Sequence, residues 1–270
     1  MLSRLLQPPT ASVRDLRGFQ AHSVVGNTRA IALLGGFDSE LLGWGFAFGY
    51  RAATTALFGE PAAVVISERG GNHPRAIETT LTGGALSGAK SFVTLPEVFA
   101  ALAVLARKPD GTLAMARVAT SDATLTRRAP SPFIPEIPHY RAVFNDAPAR
   151  ELDGDGWVLS KRFRAQEDIH VTLAALGHLM RFEWDRARSS ALLGCVGQLL
   201  GVPEGDLDSP GAHVLLGDAL TRTLATVRGL PLDRMPAEAR ERWLRDMPLL
   251  SLTAGVHARR LERAWERLGR

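Results

Sequence analysis

The chain has 270 residues and a mass of 29.1 kDa, enough for one large domain or a few small ones. Hydrophobic residues make up 46% and charged residues 22%, which excludes a disordered chain, a collagen-like fibre and a disulfide-dense mini-protein. A formal charge of +4 is too small to predict nucleic-acid binding. Because Cys195 is the only cysteine, the sequence predicts no intramolecular disulfide and no cysteine-based zinc site. A reducing, cytoplasmic compartment is expected. No other kind of metal site is predicted either. The apolar runs are shorter than the ~18 residues that a membrane span needs.

Residues 1–60 are predicted to form an N-terminal helical region. Residues 40–58 carry apolar side chains on nearly all sides, which indicates a buried helix. Asp38 and Ser39 are predicted to cap the start of that helix. Its glycines, at positions 43, 45 and 49, miss the spacing of a dinucleotide-binding loop, so we expect them to permit close helix packing.

Residues 61–153 are predicted to form a central β-domain. A strand is expected over 62–66, a hairpin over 79–82 and 85–94 with its turn at Gly83-Gly84, and a second hairpin over 101–107 and 112–119. A further strand over 141–144 is expected to end at Asn145-Asp146. Because strand follows strand without intervening helices, we expect an antiparallel barrel or sandwich.

Residues 154–270 return to a helical period after the linker Gly154-Asp155-Gly156 and are predicted to form a C-terminal helical bundle. Helices are expected over 167–184, 187–200, 212–228, 237–245 and 251–268. The predicted fold class is therefore α+β, with N-terminal helices, a central antiparallel β-barrel or sandwich, and a C-terminal bundle.

Four segments follow one another between residues 60 and 180. They are Ile66-Ser67-Glu68-Arg69-Gly70-Gly71, Leu86–Thr94, Ala142–Ala149 and Gly154-Asp155-Gly156-Trp157. In this order and spacing they resemble the acyl-CoA dehydrogenase family, including its strand "L-N-G-x-K-x-W-I-T" and its step "G-E-G-F" into the C-terminal helices. The resemblance implies that family's fold and an FAD cofactor lying against the edge of the β-domain.

The resemblance implies that Ser67 and Thr94 contact the pyrimidine side of the flavin. It also implies that Phe92 replaces the tryptophan that packs on the flavin ring. Backbone amides and a hydroxyl at a strand end can stabilise negative charge on a reduced ring. Without the resemblance, the residues alone favour ordinary strand-end roles for Ser67 and Thr94 and a core role for Phe92.

Glu167 is the candidate catalytic base. One branch of the family, the isovaleryl type, supplies its base from the first helix after the β-domain, and that segment resembles residues 167–177. A carboxylate in a dry pocket can remove the acidic α-proton of a thioester. The alternative is a structural role, because a glutamate in the first turn of a helix is favoured by the helix dipole. Asp168 stands where the family has an arginine and adds a negative charge beside the candidate base.

His73, Arg162 and Arg164 are the candidate substrate contacts. His73 lies in the glycine-rich loop, where the family has small residues, and either takes over a substrate or phosphate contact or marks a lost site. Arg162 and Arg164 are candidates for a CoA or FAD phosphate, and the alternative is a solvated basic linker.

The implied reaction is α,β-dehydrogenation of an acyl-CoA-type thioester by a flavin-dependent oxidoreductase. A homo-oligomer is expected, because the apolar helices at 40–58 and 187–200 need a surface that covers them. The possible electron acceptor is an electron-transfer flavoprotein. Two alternatives remain open. One is a non-catalytic relative that binds an acyl thioester or acts as a partner subunit, since the family's late C-terminal motif is not visible. The other is a purely structural helical oligomer, and only the apolar helices support this alternative.

Overall fold

The computed structural model describes residues 1–252 and 254–269 as a mixed α+β chain. Its α-helices are α1 (Leu16–Ala21), α2 (Thr28–Asp38), α3 (Leu42–Phe58), α4 (Gly156–Leu179), α5 (Arg186–Leu200), α6 (Pro210–Arg228), α7 (Ala237–Asp246) and α8 (Ala254–Arg267). Its strands are β1 (Ala63–Val65), β2 (Thr80–Thr82), β3 (Ala85–Thr94), β4 (Ala101–Arg107), β5 (Leu113–Ala119), β6 (Thr124–Arg127) and β7 (His139–Glu151). Thr253, inside the last predicted helix, lies outside the described residues. No helix in the described part of the chain is long and apolar enough to cross a bilayer.

The chain divides into two compact units. The first consists of Met1–Tyr50, Pro132–Ile134 and Glu167–Arg270, and the second of Arg51–Ser131 and Pro135–Gln166. Strands β1 to β7 belong to the second unit, which we call the sheet unit, and we call the other the helical unit.

Both predicted hairpins of the sheet unit are present. Strands β2 and β3 pair antiparallel from Thr80–Ser87 to Thr82–Ala85, with Gly83 and Gly84 both at positive φ, as a tight two-residue turn requires. Strands β4 and β5 pair antiparallel over their full length. The pairings also run in a circuit, β4–β2–β3–β7–β5 and back to β4.

The expectation of a wholly antiparallel sheet is wrong at β1. This strand pairs parallel with β4, with Ala63 opposite Leu102 and Val65 opposite Val104. Its three residues are all buried, which suits a short apolar strand in parallel pairing. The single β2–β4 pair, Thr80 opposite Arg107, is parallel as well.

Strand β7 is much longer than the predicted 141–144, because Asn145-Asp146 does not end it. Between Leu86 and Gly88 the β3–β7 register shifts, so that Asn145 and Asp146 lie opposite the single residue Ser87. Asp146 has φ +50°, and its backbone N–H donates to Ser87 Oγ at 3.1 Å. The residues that resemble a turn therefore form a β-bulge inside a continuous strand.

Close backbone contacts at glycines position α2, α3 and α4 within the helical unit. A Cβ added at Gly36 would lie 1.9 Å from the carbonyl oxygen of Ala174, and one at Gly177 would lie 2.0 Å from that of Leu33. A Cβ at Gly49 would lie 2.8 Å from the carbonyl oxygen of His170. These helices approach at distances that only glycine allows, as predicted for Gly49 in particular.

Asp38 has a different role from the predicted helix cap. It is the last residue of α2, it is fully buried, and it accepts hydrogen bonds from Arg4 Nη2 at 2.7 and 2.8 Å. His22 Nε2 lies 2.8 Å from Asp38 Oδ2. A carboxylate at the negative end of a helix is unfavourable by itself, and the ion pair with Arg4 offsets its charge.

Candidate functional site

A buried ion pair fixes the segment that carries Ser67. Lys90 Nζ donates to Glu68 Oε1 at 2.6 Å, and also to the carbonyl oxygens of Ile66 at 3.2 Å and Leu105 at 2.5 Å. Burial lowers the pKa of Lys90 to about 8, although Glu68 opposes the shift. The lysine of the family-like segment is thus held by three acceptors.

Glu68 is also fully engaged. Its carboxylate accepts hydrogen bonds from the backbone N–H groups of Glu78 at 2.8 Å and Thr79 at 3.1 Å. Burial by itself would raise the pKa of Glu68, but the hydrogen bond and charge of Lys90 and the two N–H donors together hold it below its ordinary value. We conclude that Glu68 and Lys90 form a scaffold for the loop around Ser67.

Ser67 lies beside an irregularity in β3. Its carbonyl oxygen accepts a hydrogen bond from Ser91 N–H at 2.8 Å, and its side chain is half-buried. Between Lys90 and Val93 the register with β7 shifts again, so that Ser91 and Phe92 lie opposite one residue. A bulge of this kind redirects the side chains next to it and is common beside functional sites.

Phe92 and Thr94 share one side of the sheet with His139, and we call these three residues the β3–β7 face. Phe92 and Thr94 are two positions apart on β3, and Thr94 lies directly opposite His139 in the ladder. The Phe92 and His139 rings stack with centroids 4.3 Å apart and planes at 29°. Phe92 remains 40% exposed, whereas Thr94 and His139 are buried.

Arg128 flanks this face. Its guanidinium carbon lies 5.4 Å from the centroid of the Phe92 ring, and its Nη1 donates to the carbonyl oxygen of Ser91 at 2.7 Å. Burial, and secondarily the charge of Arg128, lower the pKa of His139 to about 4. The imidazole is therefore neutral near pH 7, and its Nδ1 has no hydrogen-bond partner among the described residues.

The backbone leaves the β3–β7 face through a strained position. Leu95, immediately after Thr94, adopts φ +48° and ψ +47°, although its side chain is bulky and buried. Its N–H donates to the carbonyl oxygen of Pro138 at 2.9 Å, which ties the end of β3 to the start of β7. Non-glycine residues in this region cost on the order of 1 kcal/mol or more and concentrate at functional sites.

These residues fit the rim of a flavin ring. The β3–β7 face offers a partly exposed aromatic side chain, the hydroxyl-bearing Thr94 and a buried nitrogen that lacks a partner. A planar heterocycle with donors and acceptors along its edge, such as isoalloxazine, can satisfy that nitrogen and pack on apolar atoms at the same time.

The other predicted site residues do not lie on the β3–β7 face. His73 is exposed, and its Nδ1 accepts a hydrogen bond from Arg75 N–H at 3.2 Å, which caps a 3₁₀ turn. Arg162 and Arg164 lie within α4 rather than in a linker. Since they are two residues apart on a helix, their side chains do not face each other. Arg162 is exposed, and Arg164 extends over the Trp157 ring at 6.0 Å.

Glu167 lies in the middle of α4, because this helix begins at Gly156, eleven residues before its predicted start. The dipole-favoured first-turn role therefore does not apply to Glu167, which is half-buried. Asp168 accepts a hydrogen bond from Arg260 Nη1 of α8 at 2.9 Å, and His257 Nε2 lies 2.9 Å from its other oxygen. Its added negative charge is thus offset by a neighbouring arginine.

His139 and Arg128 are the residues of this site that sequence reasoning missed. A single histidine after Pro138 and an arginine at the end of β6 carry no motif, and β6 itself was not predicted. Only the pairing of β6 and β7, from Thr124–Val143 to Arg127–Tyr140, brings Arg128 to this face.

No protein-family model and no curated protein sequence matches this chain. Solved structures do match its fold. The apo form of PigA aligns with a TM-score of 0.65 at 15% identity, covering 99% of this chain and 88% of PigA. Butyryl-CoA dehydrogenase from Megasphaera elsdenii aligns with a TM-score of 0.63 at 14% identity, covering 89% of this chain and 81% of the dehydrogenase. The prolyl acyl carrier protein oxidase AnaB aligns with a TM-score of 0.62 at 14% identity, covering 88% of this chain and 83% of AnaB.

These similarities define the class of fold. The chain has the fold of the acyl-CoA dehydrogenase-like flavoproteins, and the resemblance inferred from the sequence is confirmed at that level. PigA has also been solved as an FAD complex, which aligns with this chain with a TM-score of 0.64 at 15% identity.

Proposed function

We propose that this chain is a flavin-dependent oxidoreductase that binds FAD without a covalent bond and oxidises the CH–CH group of an acyl thioester. The observation that carries the proposal is the β3–β7 face, with its partly exposed Phe92, its Thr94 and its unpartnered His139 Nδ1. The similarity in fold to PigA, which binds FAD, supports it. We interpret the circuit of β-strand pairings as the small barrel against whose rim the flavin rests.

In this proposal Ser67 and Thr94 hydrogen-bond the polar side of the flavin, and Phe92 packs against its apolar part. Glu167 acts as the general base and takes the α-proton of the thioester onto its carboxylate. Bound FAD would supply the acceptor for the hydride that leaves the β-carbon, and the substrate would lose two hydrogens and gain a carbon–carbon double bond. Arg260 offsets the charge of Asp168 and so limits like-charge repulsion beside the base.

The acyl carrier remains the open part of the proposal. Butyryl-CoA dehydrogenase acts on a CoA ester and AnaB on a prolyl group held by an acyl carrier protein, and the chain resembles both equally in identity. His73, Arg162 and Arg164 are the proposed contacts for the anionic groups of the carrier. We propose a homo-oligomer that passes electrons to an electron-transfer flavoprotein in the cytoplasm.

Two measurements test this function. The first is the visible absorption spectrum of the protein as purified and after incubation with FAD, which should show bound flavin. The second is anaerobic reduction of that flavin by butyryl-CoA and by prolyl-acyl carrier protein. We expect Glu167→Gln to slow reduction at least ~100-fold with the thioester that works, whereas Glu183→Gln, an exposed control beyond α4, should have no effect.

The second candidate is a non-catalytic relative. The family's late C-terminal motif is not visible in this sequence, and its absence favours this candidate. This candidate predicts a colourless protein that takes up no added FAD but is thermally stabilised by an acyl-CoA. A different outcome is that the protein binds flavin and the Glu167→Gln variant is reduced as fast as the wild type. That result would support the oxidoreductase function but show that Glu167 is not its base.

A further inference from the structure

His139 is a buried polar side chain of the sheet unit, and one of its ring nitrogens has no partner among the residues that the structure describes. It is 8% exposed, its ring packs on Phe92, and its backbone carbonyl accepts from Arg128 N–H at 2.8 Å. Its Nδ1 nevertheless has no hydrogen-bond partner in the described part of the chain. Lys90, in the same unit, has three acceptors for its ammonium group.

An unsatisfied buried nitrogen costs on the order of 1–3 kcal/mol. A phenylalanine or leucine at position 139 would fill the same space without that cost. Since the imidazole is neutral near pH 7, it can either donate or accept at Nδ1, depending on its tautomer. A buried nitrogen left open in this way, directly opposite Thr94, indicates a bonding position for a ligand rather than for the protein itself.

We propose that His139 is a flavin-binding residue of this chain, whose Nδ1 forms a hydrogen bond with the polar rim of the isoalloxazine ring, and that Arg128 is its positioning residue. The proposal rests on the proposed function, since it needs a flavin on the β3–β7 face. Arg128 holds the backbone of His139 through its N–H and the bulge at Ser91 through its guanidinium, so it fixes the two strands that carry the stack.

Two substitutions at position 139 separate the nitrogen from the ring. His139→Phe keeps an aromatic ring against Phe92 and removes the nitrogen, whereas His139→Asn keeps a polar atom near the position of Nδ1 and removes the ring. The matched control is His213→Phe, the same exchange at a half-buried histidine of α6 in the helical unit. Each protein is purified without flavin, and its affinity for added FAD is measured by calorimetry alongside the melting temperature of the flavin-free form.

We expect His139→Phe to bind FAD about 5- to 10-fold more weakly than the wild type, as for the loss of one hydrogen bond. Its flavin-free form should melt at the same temperature or higher, because an unsatisfied polar atom is gone. His139→Asn should stay within about 2-fold of the wild-type affinity, and Arg128→Met should weaken FAD binding together with a shift of the flavin absorption bands. His213→Phe should leave FAD affinity unchanged.

The proposal is overturned if His139→Phe binds FAD as tightly as the wild type. It is also overturned if both His139 variants lose affinity only in proportion to a loss of thermal stability, since a purely structural histidine would behave in that way. Failure of the proposed function gives a different result, namely that the wild type itself takes up no FAD.

Discussion

Lys90 and Glu68 form an ion pair in which both side chains are almost completely buried, 0% and 5% exposed, with 2.6 Å between Nζ and Oε1. Removing one partner of such a pair leaves the other as an uncompensated charge in a poorly solvated site. The pair joins the end of the β1 segment to β3, which is where Ser67 and the bulge at Ser91 lie. Its loss should therefore affect stability and the proposed flavin site together.

Lys90→Met should lower the free energy of unfolding by about 3–5 kcal/mol, measured by urea denaturation. The matched control is Lys108→Met, which removes a surface partner of Glu151 and should change stability very little. Equal effects of the two substitutions would contradict the scaffold role of Lys90.

Gly36→Ala should destabilise the protein, because the added Cβ would lie 1.9 Å from the carbonyl oxygen of Ala174 and α2 and α4 must then separate. We expect a loss of about 1–3 kcal/mol, as for other overpacking substitutions. Gly194→Ala on α5 meets nothing within 4 Å and should stabilise by about 0.5–1 kcal/mol through helix propensity. Thermal unfolding of the two variants should shift in opposite directions, and a stable Gly36→Ala protein would show that the helices have room to move.

His178 should make the protein less stable in mild acid. Burial lowers its pKa to about 4, only partly opposed by its hydrogen bond to the Ser39 carbonyl oxygen at 2.9 Å. Between pH 6.5 and 4 the unfolded chain binds a proton that the folded chain does not, so this contribution is complete above pH 6.5 and is lost as the pH falls through that range. The loss is on the order of 3 kcal/mol.

His178→Asn tests this contribution, because the amide can still donate to Ser39 but does not titrate. The variant should show a smaller decrease in unfolding free energy between pH 7.5 and pH 5 than the wild type. His139 and the carboxylates titrate in both proteins, so the difference between the two curves isolates His178. Parallel curves would mean that the folded protein takes up the proton at His178 as readily as the unfolded chain.

Arg260→Met should weaken the attachment of α8 to α4 by about 1–3 kcal/mol, since Asp168 is 8% exposed and loses its charged donor. Arg259→Met removes an exposed neighbour of the same chemistry and should have little effect. Adding Asp168→Asn to Arg260→Met should restore part of the loss, because no buried carboxylate then remains unpaired. If the double variant is no more stable than Arg260→Met alone, the two residues do not interact as described.

The hairpins could be predicted from the sequence because their signals are local. Gly83-Gly84 and the segment around Gly111 determine turn geometry by themselves. The strands that flank them either alternate between apolar and polar residues or are uniformly apolar. The parallel pairing of β1 with β4 could not be predicted in this way, since nothing in three buried residues specifies the direction of a partner strand.

Two element boundaries were predicted wrongly, each for its own reason. Asn145-Asp146 has turn chemistry, yet the same tolerance of positive φ accommodates a bulge within β7. The segment before Glu167 contains Lys161, Arg162 and Arg164 and lacks an apolar period, so the first eleven residues of α4 gave no helical signal.

Sequence reasoning could propose site residues only where a motif marks them. Ser67, Phe92 and Thr94 were proposed from the family-like segments, and the structure connects Ser67 to β3 through Ser91. His139 depends on the ladder that places it opposite Thr94, a relation across 45 positions of sequence that no local pattern records.

The glycine contacts of α2, α3 and α4 have a consequence for protein engineering. Positions 36, 49 and 177 accept no side chain without a backbone shift, so a mutant library that varies them would consist mostly of destabilised members. Diversity aimed at new substrates is better concentrated on the exposed loop around His73, whose variation leaves this rigid helical framework untouched.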